Sequence, residues 1–430
     1  MKQMADNLAE QMARRLDANS LTRLREAGQL AWDMGVELYL VGGPVRDLLL
    51  RRPQLDLDLV VVGDGLGFAR AWADRLGVSI AVHPAFLTAT VTLPEGRHMD
   101  VATARRESYE YSGALPTVEP ASSIEEDLSR RDFTINALAV ALNPDRWGEL
   151  YDPCGGQRDL QAGLIRVLHD KSFVDDPTRL VRAVGFEVRL GFLLEEHTLG
   201  LLQAAVNESV LDLVSPQRRA EVLLPLLEGE LAPQVLARMG ELGLLEIMHL
   251  GSSLSGELHR KLGEVPVVLE ALDAPGIGRS AALTRLALVA HDAGTAAATL
   301  IDYLQLPGEE GASLTQALSQ MKTPPPQLTA ASVSPAELYF ALEQYHIVTA
   351  AVLSVSQPSI AGKRIQQYWR ELRHIESDIT GEDLLAAGAQ PGPAFSQALR
   401  EALRAKLDPP SASPQEQLRA ALEYLESAKQ

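Results

Sequence analysis

A chain of 430 residues, 46% of them hydrophobic, is long enough for two to four domains and a sizeable buried core. Its single cysteine, Cys154, excludes a disulfide framework, fits a reducing cytoplasm and lacks a partner for catalysis or metal binding. With 57 Asp and Glu against 39 Lys and Arg, the net charge of −18 argues against indiscriminate nucleic-acid binding, so local basic patches must carry any contact with a polyanion. The opening residues read as a polar amphipathic helix rather than a signal peptide, and no apolar run approaches membrane-spanning length. The expectation is therefore a cytoplasmic protein with no membrane partner.

Helical spacing of Leu8, Met12 and Leu16, then of Leu21, Leu24 and Leu30, predicts helix over 1–34. Strands are predicted at 38–41, 57–62, 78–82, 88–93 and 99–102, with a helix at 67–76, which together make a small α/β head. Residues 106–130 are rich in turn formers and read as a polar loop. From Asp132 onward the period is helical apart from strand-like pieces at 135–142 and 164–167, with breaks at 231–233, 251–256, 274–278, 323–326 and 408–413.

Two motifs carry chemistry. Gly42 and Gly43 stand between the 38–41 strand and a helical run from Val45, where glycines let backbone N–H groups approach an anion and Arg46 adds charge from the first turn. Asp56 and Asp58 open the apolar run 57–62; at strand period they project to one face. A phosphate cradle beside twin carboxylates suits two-metal phosphoryl or nucleotidyl transfer, with Mg²⁺ as the cofactor. Asp100, on the 99–102 strand, is a candidate third metal carboxylate or a solvated strand-end aspartate. The adjacent Arg130 and Arg131, with Asp132 and Asn136, could grip ribose and phosphate or simply form a charged helix entry. Pro177 suits a helical first turn, putting Asp176, Arg179 and Arg182 on one face. Asp176 and Arg179, as acceptor and donor, could imitate a Watson–Crick edge; the alternative is an ordinary salt-bridged helix. His291-Asp292 lacks the surroundings of a metal-dependent phosphohydrolase. The basic and aromatic stretch 363–374 could touch a nucleic-acid backbone or pack as an amphipathic helix.

The segments V-G-G-P-V-R-D at 41–47, L-D-L-D-L-V-V at 55–61, E-D-L-S-R-R-D-F-T-I-N-A-L-A at 126–139, Y-D-P-C-G-G-Q-R-D-L at 151–160 and D-D-P-T-R-L-V-R-A-V-G-F at 175–186 occur in the order and spacing of the class II nucleotidyltransferases. The chain thus resembles the tRNA CCA-adding enzymes and the bacterial poly(A) polymerases related to them, densely over 36–200 and more loosely beyond. T-G-E-D-L-L at 380–385 looks like a motif of their tails. The resemblance implies an α+β fold: a polymerase-beta-like nucleotidyltransferase head with a small mixed sheet (1–145), then an all-helical neck with the base template (146–225), body (226–325) and tRNA-binding tail (326–430). It implies triphosphate contacts from Gly43 and Arg46, metal ligation by Asp56 and Asp58, and nucleotide binding by Arg131. It also implies ribose recognition by Asp132, base selection by Asp176 and Arg179, and a further contact from Arg182. In two places the chain departs from the family: Asp175 stands where glutamate is usual, and Gly185 where arginine is usual, which removes one nucleotide contact.

The implied activity is addition of CCA to the 3′ end of tRNA from CTP and ATP without a nucleic-acid template. Some bacteria split that task between a CC-adding and an A-adding enzyme, so a companion tRNA nucleotidyltransferase is an implied partner if activity is divided. The near-usual length between Asp100 and Arg131 disfavours CC-only addition, and residues 107–118 look more like A-adding relatives. Poly(A) polymerases usually carry a basic C-terminal extension, which E-Q-L-R-A-A-L-E-Y-L-E-S-A-K-Q does not resemble.

Overall fold

The computed structural model describes residues 7–52, 57–93, 96–408 and 411–428. The chain divides into two compact units, 1–218 and 219–430.

The first unit opens with two helices, α1 (Ala9–Arg15) and α2 (Ala18–Asp33), where the apolar spacing predicts one. The break is chemical: Leu16 is extended, and the Asp17 carboxylate accepts from the Ser20 backbone N–H, capping a new helix. There follow β1 (Glu37–Val41), α3 (Gly43–Leu49), β2 (Leu57–Val62), α4 (Gly65–Leu76), β3 (Ile80–His83), β4 (Thr88–Thr92) and β5 (His98–Thr103), close to the predicted elements.

Residues 106–130 depart from the predicted loop. They form a hairpin of β6 (Arg105–Ser108) and β7 (Thr117–Pro120), then α5 (Ile124–Ser129). Cross-strand charge pairing between Arg106 and Glu119, rather than apolar alternation, fills the hairpin, so no strand period was visible. The 135–142 piece resolves into a 3₁₀ turn at Thr134–Asn136 and the short β8 (Ala139–Ala141), followed by β9 (Leu150–Tyr151). The unit continues with α6 (Gly156–Ala162), β10 (Leu164–Ile165), α7 (Ser172–Asp175), α8 (Thr178–Leu190), β11 (Leu193–Leu194), α9 (Glu196–Asn207) and the start of α10 (Pro216–Glu228).

Seven strands make one mixed sheet in the order β3-β4-β5-β2-β1-β8-β9, in which only β2 and β5 run parallel. Their register sets Asp58 beside Asp100. Trp72 and Phe68 of α4 are fully buried, and Tyr39, Val41, Val60 and Ala139 form part of a cluster packed with Ile124 and Leu128 of α5. Asn143 stitches the edge of β1: its side-chain oxygen accepts from the Leu38 N–H and its amide donates to the Val36 carbonyl.

The second unit is helical throughout its described residues. Its helices meet the predicted breaks, with Ser334–Glu337, Thr380–Asp383 and Ser413–Glu416 forming reciprocal capping boxes. The 380–385 motif is thus a helix start. Within 363–374, Tyr368 and Trp369 are buried, Arg364 donates to the Gln327 carbonyl and Arg370 to that of Ala271, so this stretch packs inside the unit. Among the described residues no single helix is long and apolar enough to cross a membrane.

The seat of α2 on the sheet is tight enough to test. A Cβ on Gly28 would lie 2.0 Å from the Leu142 carbonyl oxygen. Gly28→Ala should therefore force α2 away from Leu142, the residue after β8, and cost about 1–3 kcal/mol, as overpacking does. Urea unfolding with an unchanged midpoint would show that α2 does not rest there.

Candidate active site

A cavity of about 480 Å³ in the first unit gathers Gly42, Gly43, Arg46, Asp58, Arg131, Asp132, Asn136, Asp176, Arg179 and Arg182 on its walls. Asp100 is exposed outside that wall but adjoins Asp58 across β2 and β5, with one carboxylate oxygen accepting from Thr90 Oγ1 at 2.6 Å. Asp56 lies outside the described residues. Asp58 and Asp100 offer hard oxygen donors of the kind Mg²⁺ takes, and among the described residues no third acidic, His or Cys side chain completes a cluster with them.

The glycine loop is shaped by what crowds it. Gly42 adopts φ +70°, and a Cβ there would lie 2.7 Å from a guanidinium nitrogen of Arg131, so the position needs glycine on both counts. Arg46, buried on α3, donates from Nε to Asp47 at 2.8 Å and from Nη1 to the Asn136 side-chain oxygen at 2.7 Å. Asn136 in turn donates to Asp132 Oδ1 at 3.0 Å, and Asp132 Oδ2 takes both Nε and Nη2 of Arg182. The middle of this relay must both accept and donate, because guanidinium donates and carboxylate accepts, and the Asn136 amide does both.

Two buried carboxylates anchor the cations. Burial pushes the Asp127 carboxyl up, but Arg131 and Arg130 beside it hold it below the ordinary range. Arg130 contacts it from Nη2 at 2.7 Å and Arg131 from Nη2 at 2.9 Å. Burial acts on Asp132 in the same sense and is likewise outweighed, here by Arg182 and Asn136. Arg131 Nε remains a buried donor with no partner among the described residues, as a site awaiting an acceptor would leave it.

At the far end, Arg179 is buried and held by Ser172 Oγ at 3.0 Å and the Arg130 carbonyl at 2.8 Å, with its Nε 3.9 Å from Asp176 Oδ2. Asp176 Oδ1 accepts from the Thr178 hydroxyl at 2.6 Å. The pair thus forms a fixed donor beside a fixed acceptor.

The structure adds residues that sequence reasoning missed: Glu107, Tyr109, Thr178, Phe186 and Arg189 also line the cavity, beside Arg130 of the expected arginine pair. Arg130 pairs with Glu107 at 2.7 Å, and Tyr109 donates to Glu107. Burial, with Glu107 next to it, pushes the Tyr109 hydroxyl up to about 12, so it stays a hydrogen-bond donor at neutral pH. Phe186 carries Arg46, Arg182 and Arg189 around its ring at 5.3, 5.6 and 4.8 Å. Burial and the positive charge of Arg46 and Arg182 press the Arg189 guanidinium below its ordinary value. Helical spacing from Arg182 would have found Phe186 and Arg189 at i+4 and i+7. Gly185 is buried on α8 next to Phe186, and one turn on Arg189 brings a guanidinium to the cavity wall. Six arginines against four carboxylates give the wall a positive surplus, despite the acidity of the whole chain.

The class is that of the nucleotidyltransferases: residues 38–166 match the Poly A polymerase head domain. An A-adding tRNA nucleotidyltransferase of Geobacter sulfurreducens is 35% identical over 97% of this chain, and the chain spans 48% of that protein's length. A CC-adding tRNA nucleotidyltransferase of Deinococcus radiodurans is 36% identical over 84% of this chain and 83% of its own length. The solved Thermotoga maritima CCA-adding enzyme complexed with tRNA superposes with a TM-score of 0.74 at 28% identity, covering 98% of this chain and all of that one. The chain belongs to the tRNA nucleotidyltransferase family.

The buried anchors make a prediction about stability. Asp127→Asn leaves two arginines facing an uncharged group and should cost about 3–5 kcal/mol at neutral pH. Because the Asp127 and Asp132 carboxyls are depressed in the folded state, their stabilisation is complete above the ordinary Asp value of about 3.9 and drains as pH falls through their lowered values. Denaturant titrations from pH 7 to pH 2 should show the parent losing stability in that acid window and Asp127→Asn losing less; parallel curves would refute the anchoring role.

Proposed function

We propose that this chain extends the 3′ end of tRNA with nucleotides of the CCA sequence, taking ATP and CTP as substrates and using no nucleic-acid template. The observation that carries the proposal is the single cavity joining a glycine loop with Arg46, a metal-type carboxylate in Asp58, and the Asp176–Arg179 pair. The triphosphate would lie along Gly42, Gly43 and Arg46, with Arg131 Nε and Arg189 as further donors. Asp132, fixed by Asn136 and Arg182, would receive ribose hydroxyls. Asp176 and Arg179 would accept and donate to the base edge, which suits the exocyclic amine and ring nitrogen of adenine or cytosine. Mg²⁺ held by Asp58, with Asp56 and Asp100 as further ligands, would lower the pKa of the attacking 3′ hydroxyl and neutralise charge on the leaving pyrophosphate. The expected setting is the cytoplasm.

Within this activity we favour A-only addition with a CC-adding companion. The Geobacter relative bears that name, and the 105–120 segment, read as similar to A-adding relatives, is a formed hairpin whose Ser112 donates to the Val174 carbonyl of α7, just before Asp176. The deciding assay offers CTP, ATP or both to transcripts lacking CCA, ending in C or ending in CC, with products sized to one nucleotide. A single A added only to the CC-ended transcript supports A-only addition. Completion from every start establishes full CCA addition, and long homopolymers on unstructured RNA would instead make this a poly(A) polymerase.

Two variants probe the assignment. Asp58→Ala should abolish incorporation while leaving tRNA retention on filters unchanged. Arg179→Ala should erode discrimination among nucleotides by about 1–3 kcal/mol, the worth of one bidentate base contact. Competition among the four nucleotides measures it, and parental selectivity would remove Arg179 from base choice.

A further inference from the structure

The mixed sheet has two unlike faces over β2, β4 and β5. On one, Leu57 and Leu59 of β2, Ala89 and Val91 of β4, and Met99 and Val101 of β5 are buried. Alternation sends Asp58, Thr90 and Asp100 to the other face, where they are half-buried or exposed. The register lines them up: Thr90 pairs with Asp100 across β4 and β5, and Asp100 with Asp58 across β5 and β2. A hydroxyl and two carboxylates therefore stand in one row, with Asp100 in the middle.

The two neighbours act on Asp100 in opposite senses. Adjacent strands lie about 4.8 Å apart, so the two carboxylates repel, and an exposed aspartate relieves that repulsion by swinging into water. Thr90 opposes the swing, because its Oγ1 donates to Asp100 Oδ1 at 2.6 Å. Among the described residues Thr90 is the one side chain that holds Asp100, and no ion pair reaches it.

The row also decides which oxygen is left. Thr90 engages Oδ1 from the β4 side, so Oδ2 is the oxygen that remains to meet a cation beside Asp58. A donor that fixes a ligating carboxylate in this way orders it before the ion arrives. Thr88 and Thr92 share the strand and the face of Thr90, but they pair with Ala102 and His98, each two residues along β5 from Asp100. Only the middle threonine stands opposite the carboxylate.

We propose that Thr90 is a positioning residue for the divalent cation: it holds Asp100 where that carboxylate and Asp58 can close on one ion. This rests on the reading of the two aspartates as metal ligands, and the test keeps the two apart. The full-length protein, without tRNA or nucleotide, is titrated with Mn²⁺, and the free ion is counted by electron paramagnetic resonance. The Mg²⁺ dependence of ATP incorporation into a CC-ended transcript is read in parallel, with the thermal midpoint as a check on folding. Thr90→Val keeps the shape and removes the donor. It should weaken Mn²⁺ binding about tenfold and raise the Mg²⁺ needed for half-maximal rate by about as much, with KM for tRNA within about twofold. Thr90→Ser restores the hydroxyl and should bind as the parent does. Thr88→Val removes a hydroxyl from the same strand and face and should change nothing. Asp100→Asn should lose at least as much as Thr90→Val. The double variant should be no weaker than Asp100→Asn alone, because the hydroxyl acts only through that carboxylate. If the valine variant does not fold, Thr90→Ala is read in its place. Parental Mn²⁺ affinity in Thr90→Val, with Asp100→Asn losing it, overturns the proposal and leaves Asp100 standing as a ligand. Parental affinity in Asp100→Asn overturns that reading and the proposal with it. An equal loss in Thr88→Val also overturns the proposal, since the effect would then belong to the strand and not to the hydroxyl.

Discussion

A carboxylate with no exposure to solvent, that of Asp127, organises the site without entering the cavity. Removing a charge from water is costly, and the cost is met here because both oxygens are occupied: Oδ1 by Arg130 and the Arg105 N–H, Oδ2 by Arg131. Each partner then positions something else. Arg131 lies against Gly42 in the glycine loop. Arg130 grips Glu107 on the hairpin with its side chain and Arg179 with its carbonyl. The phosphate end, the hairpin and the base-selecting helix thus share one buried reference point.

The acidity of the chain and the positivity of the cavity are two sides of one arrangement. A strongly negative surface discourages loose attachment to nucleic acid, leaving attraction where the geometry is specific. All six cavity cations are arginines, and the choice has a physical basis. A guanidinium can be forked between a structural carboxylate and a substrate, and it stacks on an aromatic face as three do around Phe186, whereas a lysine ammonium would offer only a point charge.

Local chemistry was legible in the sequence; long-range partnerships were not. Glycines before a helix, a carboxylate opening an apolar strand and an Asp-Pro-Thr-Arg helix start state their geometry within a few residues, and the cavity gathers Gly42, Asp58, Asp176 and Arg179. The strand-period signal failed over 105–120 because those strands are held by charge pairs on an open hairpin. The early helix was read as one because Leu16 keeps the apolar spacing while Asp17 resets the backbone. Nothing in the neighbourhood of Arg182 announces its partner Asp132, 50 residues away, since a salt bridge across the fold leaves no period.

The relay from Asp47 through Arg46, Asn136 and Asp132 to Arg182 explains why an otherwise divided site can act as one. Its phosphate-facing end belongs to the sheet and α3, its base-facing end to α8, and a nucleotide must meet both at fixed separation. Apolar packing alone fixes such elements only as well as side chains interdigitate. A chain of alternating donors and acceptors fixes them more sharply, because each member has one chemically permitted orientation: Arg46 and Arg182 can only donate, Asp47 and Asp132 only accept, and Asn136 must do both. Replacing Asn136 by aspartate would set two carboxylates together, and by leucine would take one partner each from Arg46 and Asp132. That makes the amide as demanding a position as the residues on either side of it.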